Sequence, residues 1–251
     1  METNGDKSKM KDENIVHLGR ETSAVRIKNI RSMAQVRTFT EAELQKRKIV
    51  YAGMPDKKLL NIYRDIRTKL VRKSSGKNFV LLVSSVCDGG GASFNALNIA
   101  AAFSLDEAKT SMLLDCNLHN SSFSDLVGMD VEAGLTDYLV DDEIDAEDVI
   151  YASGVPRVRV VPAGTYTESG AEYFSSLRMA QFIESIKSRY PDRFIVIDAP
   201  ALTNSAEARI LAELSDYVLM VVPRGMVTQQ QIKKSREAVD REKLIGFIFN
   251  N

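Results

Sequence analysis

Of the residues that bind soft metals or build disulfides, this 251-residue chain has very few: two cysteines, Cys87 and Cys116, and two histidines, His17 and His119. None is spaced as a metal-ligand set and two thiols make no disulfide framework, so a zinc site and a secreted disulfide scaffold are excluded and a reducing compartment fits. Long apolar runs are missing too. No window approaches the roughly 18 consecutive apolar residues of a membrane-spanning helix, and the opening METNGDKSKMKDEN has no apolar signal core. A soluble, unexported protein is expected, one that meets a membrane only through a partner or a surface charge patch. An overall charge of one sign is also absent, the formal net charge being −1. The balance is uneven along the chain: residues 1–77 carry 19 Lys and Arg against 9 Asp and Glu, and the remainder carries 14 against 25. A basic segment of this kind suits nucleic acid, anionic lipid or an acidic protein surface, or is simply a solvated leader.

Hydrophobic residues make up 44% of the chain, enough for one substantial core. One domain preceded by an arm is expected. Residues 1–55 form the arm, basic, polar and in part disordered, with FTEAELQKRKIVYAG as its best helical piece, capped by Thr40 with Glu43 three residues on. A stronger helix spans Lys57 to Arg72, where Leu60, Tyr63, Ile66, Leu70 and Val71 recur at helical spacing before KSSGKN breaks it.

Residues 56–251 form the domain. Short apolar runs at 79–85, 110–115, 158–163, 193–198, 216–222 and 244–249 alternate with helical stretches at 93–105, 134–140, 171–189, 204–213 and 228–241. The runs are almost continuously apolar, as strands buried on both faces are. This alternation predicts an α/β fold: a doubly wound, mostly parallel sheet with helices on both faces. The acidic run DDEIDAED at 141–148 reads as a solvated helix start rather than a metal site.

In such sheets ligands gather at the carboxyl ends of the strands. The first apolar run leads into SSVCDGGGASFN, residues 84–95, where Gly89, Gly90 and Gly91 suit a loop whose backbone N–H groups surround phosphate oxygens at a helix N-terminus. The pattern G-x-x-x-x-G-K-[ST] would put lysine at 92 and a magnesium-binding hydroxyl at 93. Ala92 stands at the first position and Ser93 at the second. The second run ends in Asp115 and the fourth in Asp198-Ala199-Pro200, where a carboxylate would order the metal beside such a loop. Pro223-Arg224-Gly225 follows the fifth.

SSVCDGGGASFNALNIAAAFS, MLLDCNLHNSSFSDLVG, GLTDYLVDD, VRVVPAG, the long block from MAQFIESIKSRY to DYVLMVV, and LIGFIFN resemble, in order, the blocks of the bacterial tyrosine autokinase domain. That family belongs with the Min and Par type P-loop ATPases, and the nearest likeness is to stand-alone kinases of exopolysaccharide and exosortase gene clusters. The resemblance covers residues 57–250. It implies a P-loop fold, a nucleotide site at Asp88, Gly89, Gly90, Gly91, Ala92, Ser93 and Phe94, magnesium at Ser93, Asp115 and Asp198, and catalysis through Asp115 and the residue two positions on. In the family pattern P-G-E-G-K-[ST], Asp88 replaces the proline, Gly90 the glutamate and Ala92 the lysine. In D-x-D-x-R, Asn117 replaces the second aspartate and His119 the arginine. The D-x-P block is intact. The helix motif E-x-x-R-x-x-R, which meets a neighbouring subunit, keeps Arg64 and Arg67 and has Asn61 for the glutamate.

Each departure has a physical meaning. Losing the lysine removes charge neutralisation at the β- and γ-phosphates, Asn117 cannot take a proton, and His119 is at best partly charged near neutrality. No tyrosine follows Tyr217, so the family's C-terminal tyrosine cluster has no counterpart. The resemblance with these departures implies a pseudokinase that regulates or scaffolds exopolysaccharide biosynthesis. It would bind ATP or ADP with Mg²⁺ weakly, form homo-oligomers, and dock on the cytoplasmic end of a membrane polysaccharide co-polymerase at the inner face of the membrane, with no nucleic acid partner. The alternative is an active tyrosine kinase or ATPase in which Lys109, a lysine of the arm, or Arg64 of a neighbouring subunit replaces the missing charge. A Min or Par type positioning ATPase is disfavoured because Cys87 stands where that group has a further lysine.

Overall fold

The computed structural model describes residues 38–127 and 130–251. Residues 1–37, and with them most of the basic arm, lie outside the described residues. The six apolar runs become β1 (Val80–Ser85), β2 (Thr110–Asp115), β4 (Val158–Val161), β5 (Arg193–Asp198), β6 (Tyr217–Pro223) and β7 (Leu244–Asn250), all parallel. A two-residue strand, β3 (Tyr151–Ala152), adds antiparallel to β4. The order across the sheet is β3-β4-β2-β5-β1-β6-β7: β2 to β4 lie on one side of β1, β5 returns to fill the place between β2 and β1, and β6 and β7 continue on the other side. Every residue of β1, β2 and β5 is buried, as the continuous apolar runs require.

The two-residue period of the strands sorts their side chains onto two faces. Leu81, Val83, Leu113, Val196 and Val221 face α1 (Glu41–Lys46), α2 (Lys57–Lys73) and α3 (Ala92–Phe103). Val80, Leu82, Met112, Ile195, Ile197 and Met220 face α4 (Leu135–Val140), α5 (Gly170–Phe174), α6 (Leu177–Arg189), α7 (Ala206–Leu214) and α8 (Gln229–Glu237). On the first face the rings of Phe103 and Phe194 stack at 4.2 Å, and Phe79 packs on Phe194 at 5.0 Å.

The boundary expected between residues 55 and 56 does not separate the described segment 38–54 from this core. Thr40 and Glu43 close a capping box on α1, and the turn beyond it buries Ile49, Val50, Tyr51 and Met54 against the first face. The Val50 N–H donates to Asn98 Oδ1 of α3 at 2.9 Å. Two other expectations also need correction. The helix expected over 171–189 is two, because the Ser176 hydroxyl accepts from Met179 N–H and starts α6 afresh. The acidic run 141–148 forms turns instead of starting a helix: Asp141 and Asp148 accept backbone N–H groups of Glu143 and Asp145, the local bonding that favours turns.

Candidate nucleotide site

β1 ends at Ser85 and α3 begins at Ala92, so the glycine loop occupies the strand-to-helix turn beside β5, near the point where the strand order reverses. Gly90 is required by space and Gly91 by its left-handed backbone. A Cβ at Gly90 would stand 2.8 Å from Ser85 Cβ. At Gly91, φ is +91° and a Cβ would meet Asn250 Nδ2 at 2.3 Å. Asn250, at the end of β7, donates from Nδ2 to the Gly90 carbonyl at 3.1 Å and so ties the edge of the sheet to the loop. Gly91 caps α3 without a side chain, and the first turn carries no acidic residue, which leaves the helix N-terminus open toward an anion. Ala92 is buried, Phe94 is half-buried against the first core face, and Asp88 is exposed.

Asp115 and Asp198 are register partners at the ends of β2 and β5, and both are fully buried. Ser93 Oγ donates to Asp198 Oδ2 at 2.6 Å, whereas Asp198 Oδ1 is buried without a hydrogen-bond partner. Asp115 is better satisfied: Oδ1 accepts from Asn117 N–H at 3.3 Å, and Oδ2 from Ser122 and Phe123 N–H at 3.0 and 3.2 Å. Burial raises Asp115 from 3.8 to about 6 despite these three bonds. Burial also pushes Asp198 well above the carboxylate range, with the Ser93 hydroxyl opposing and Asp115 reinforcing the shift. No lysine or arginine among the described residues offsets either group.

The remaining expected residues divide. Asn117 contributes its backbone N–H to Asp115. His119 is exposed, with Nδ1 3.4 Å from the Tyr166 hydroxyl. Lys109 precedes β2 at the end opposite Asp115, about 20 Å of strand away, with its ammonium over the Phe194 ring. It does not stand in for the missing lysine within the chain. Arg64 is exposed on α2, while Arg67 is half-buried and donates to the Ala102 carbonyl near the end of α3 at 3.2 Å. Both thiols are pushed up, Cys116 by burial and the two carboxylates, Cys87 by burial and Asp88, which makes neither a ready nucleophile.

Sequence reasoning missed the polar links behind the loop. Tyr63 of α2 donates to Asn95 Oδ1 at 3.0 Å, and Asn95 Nδ2 donates to the Gly91 carbonyl at 2.8 Å. Asn98, one turn on, receives Val50 and donates to the Phe94 carbonyl. The signal was available: two amides in the otherwise apolar run FNALNIAAAF. On the other side of the loop, Thr203 Oγ1 donates to the Val86 carbonyl and lies 2.7 Å from Ser235 Oγ.

The chain is 28% identical over 197 residues to the tyrosine-protein kinase CpsD of Streptococcus agalactiae, covering 77% of this chain and 83% of that one. Its fold superposes on the kinase domain of the Escherichia coli tyrosine kinase ETK with a TM-score of 0.73 at 20% identity, over 86% of this chain and 88% of that one. The chain is a homologue of the bacterial tyrosine kinases. It also matches a succinoglycan biosynthesis transport protein, ExoP of Rhizobium meliloti, at 24% identity over 176 residues, 68% of this chain and 22% of that protein. No protein-family model matches it. The loop, Ser93 and the two strand-end carboxylates lie together at the carboxyl end of the sheet, and no helix of the described residues is long and apolar enough to cross a membrane.

Proposed function

We propose that this kinase homologue is a catalytically impaired member of its family that regulates or scaffolds exopolysaccharide biosynthesis and export. The observation that carries the proposal is the charge balance at the loop. Two buried carboxylates converge behind Ser93, and the position next to the helix N-terminus is filled by Ala92. The kinase names of the relatives and the biosynthetic name of ExoP support the setting. In that setting the chain docks, as a homo-oligomer, on the cytoplasmic end of a membrane polysaccharide co-polymerase and so reaches the inner face of the membrane.

The donor set fits a magnesium ion. Asp198 Oδ1 is a buried acceptor without a partner, and the Ser93 hydroxyl lies beside the same carboxylate. Ser93 and Asp198, with Asp115 behind them, would hold the ion, and the loop N–H groups would hold a polyphosphate. ATP supplies a transferable phosphoryl group when bound, and Mg²⁺ supplies positive charge to it. Ala92 adds none. Removing one electrostatic contact to the developing charge of a transition state lowers rates on the order of 10²- to 10³-fold. Asn117, whose side chain takes no proton, does not restore a base.

The alternative is an active ATP-dependent tyrosine kinase or ATPase with a substitute cation. The unpartnered Asp198 oxygen favours retained cation affinity, and the exposed Arg64 is free to serve a neighbouring subunit. Calorimetric titration with ATP and ADP, with and without Mg²⁺, beside Ala92→Lys separates the two. Weak binding without turnover, strengthened by about tenfold or more in Ala92→Lys, is the expected result, since a charge-assisted contact contributes about 1.5–3 kcal/mol. Turnover by the wild type at rates that Ala92→Lys does not raise would overturn it.

A further inference from the structure

β7 closes one side of the sheet, and among the described residues only β6 pairs with it, so its outer edge presents unpaired backbone N–H and C=O groups. Edges of this kind are normally blunted by charge, proline or brevity. β7 has none of these: its seven residues, LIGFIFN, contain no charge and no proline, and its one irregularity is a bulge at Ile245, near the start of the strand and away from Phe247 and Phe249. Phe249 is 72% exposed and Phe247 37%, large values for the two biggest apolar side chains of the strand. Their pairing with Val222 and Met220 puts both rings on the face that carries α8.

Between α8 and β7 lies a groove of about 560 Å³ with Ile232, Leu244 and Phe247 as apolar lining and Lys233, Arg236 and Arg241 as its charged lining. No carboxylate lines it. Glu237 meets Lys233 only at 3.9 Å with both side chains exposed, and Asp240 is taken up by the N–H of Glu242. Three cations beside an open strand edge are therefore left without a strong counter-charge.

We propose that the β7 edge is a docking site for an extended acidic segment of a partner polypeptide, which adds to the sheet as a further strand. Charge decides among the occupants. A second copy joining through its own β7 would bring Lys233, Arg236 and Arg241 toward the same three residues. Residues 1–37 carry 8 Lys and Arg against 5 Asp and Glu, and are repelled in the same way. A strand alternating acidic and apolar residues places its carboxylates over the cationic groove and its apolar side chains on the opposite face, beside Ile248. The backbone ladder supplies affinity and the cations supply selectivity and orientation.

The test uses the full chain and a fluorescein-labelled decapeptide of alternating Glu and Val, followed by anisotropy. Saturable binding is expected, weakened by high salt and by about tenfold or more in the exposed pair Lys233→Glu/Arg236→Glu. A Lys-Val decapeptide, and a Glu-Val peptide N-methylated at alternate residues to remove the ladder donors, should bind as weakly as that variant does. Equal binding of the Glu-Val and Lys-Val peptides, or of the methylated and unmethylated peptides, overturns the proposal. So does a full chain that binds no peptide, whether because sedimentation shows self-association through this edge or because residues 1–37 cover it.

Discussion

Replacing Asp115 by asparagine should reshape the pH dependence of stability. In the folded protein burial raises this carboxyl from 3.8 to about 6, so between those values the folded state holds a proton that the unfolded state has released. Stability contributed by this group is therefore greatest below pH 3.8 and falls as pH rises through 6. At roughly 1.4 kcal/mol per pH unit the ionised group costs about 3 kcal/mol above pH 6. Asparagine removes that cost. Its single carbonyl oxygen still accepts from Ser122 and Phe123 N–H, while its amide faces the Asn117 N–H that now bonds Oδ1 at 3.3 Å. That lost bond costs about 1 kcal/mol at every pH. The variant should accordingly be less stable by about 1 kcal/mol near pH 3.5 and more stable by about 2 kcal/mol near pH 7.5. A gain of that size raises Tm by about 4–8 °C in a chain of this length. Urea unfolding of both proteins between those pH values is the assay. Parallel stability curves, or a variant weaker than the wild type at pH 7.5, would refute the claim that an uncompensated buried carboxylate sits at the end of β2.

Three further outcomes are expected. A chain starting at residue 56 should lose several kcal/mol relative to one starting at residue 38, because Ile49, Val50 and Met54 each bury apolar area that contributes roughly 1.5–3 kcal/mol; thermal unfolding of the two chains is the comparison. Asn95→Leu should destabilise by about 1–3 kcal/mol by stranding the buried Tyr63 hydroxyl, while the Gly91 carbonyl keeps the backbone N–H of residue 95, and adding Tyr63→Phe should recover part of the loss in the same unfolding measurement. Gly90→Ala should lower stability by about 1–3 kcal/mol through the 2.8 Å approach to Ser85 Cβ, with loop amides shifted in NMR spectra while those of β4 stay in place.

The layered fold was legible because burial on both faces leaves an unambiguous mark. The continuous runs at 80–85, 110–115 and 193–198 are strands with every residue buried; the first leads into the glycine loop and the other two end at Asp115 and Asp198. What escaped depended on contacts distant in sequence. Residues 49–54 look like arm because their apolar content is short and aperiodic, and only the arrival of α3 gives Val50 a partner in Asn98. β3 is two residues long and exists through its pairing with β4, beyond the reach of any periodicity. In the site itself, residue types and order announced the loop, Ser93 and the two carboxylates. They could not announce that Asn250, 159 positions after Gly91, fills the space a side chain at Gly91 would need, nor that Lys109 lies at the far end of its strand.

The energetic asymmetry between the two carboxylates bears on what the site retains. Asp115 has three backbone donors that fix it at the strand end. Asp198 has one hydroxyl donor and one bare buried oxygen. A strand-end residue serving architecture alone is equally served by an amide, whose oxygen would accept from Ser93 and whose NH₂ would stand in place of the unpartnered Oδ1. Without a counter-ion, burial holds the Asp198 carboxyl in its neutral form well above the ordinary carboxylate range, and a cation at Oδ1 would favour the ionised form. Ser93 and Asp198 are thus the pair that the proposed function assigns to a cation, beside an Ala92 that offers no charge to a phosphate. On the proposed function, these metal donors without a lysine at position 92 would bind and report a metal-nucleotide more than turn one over.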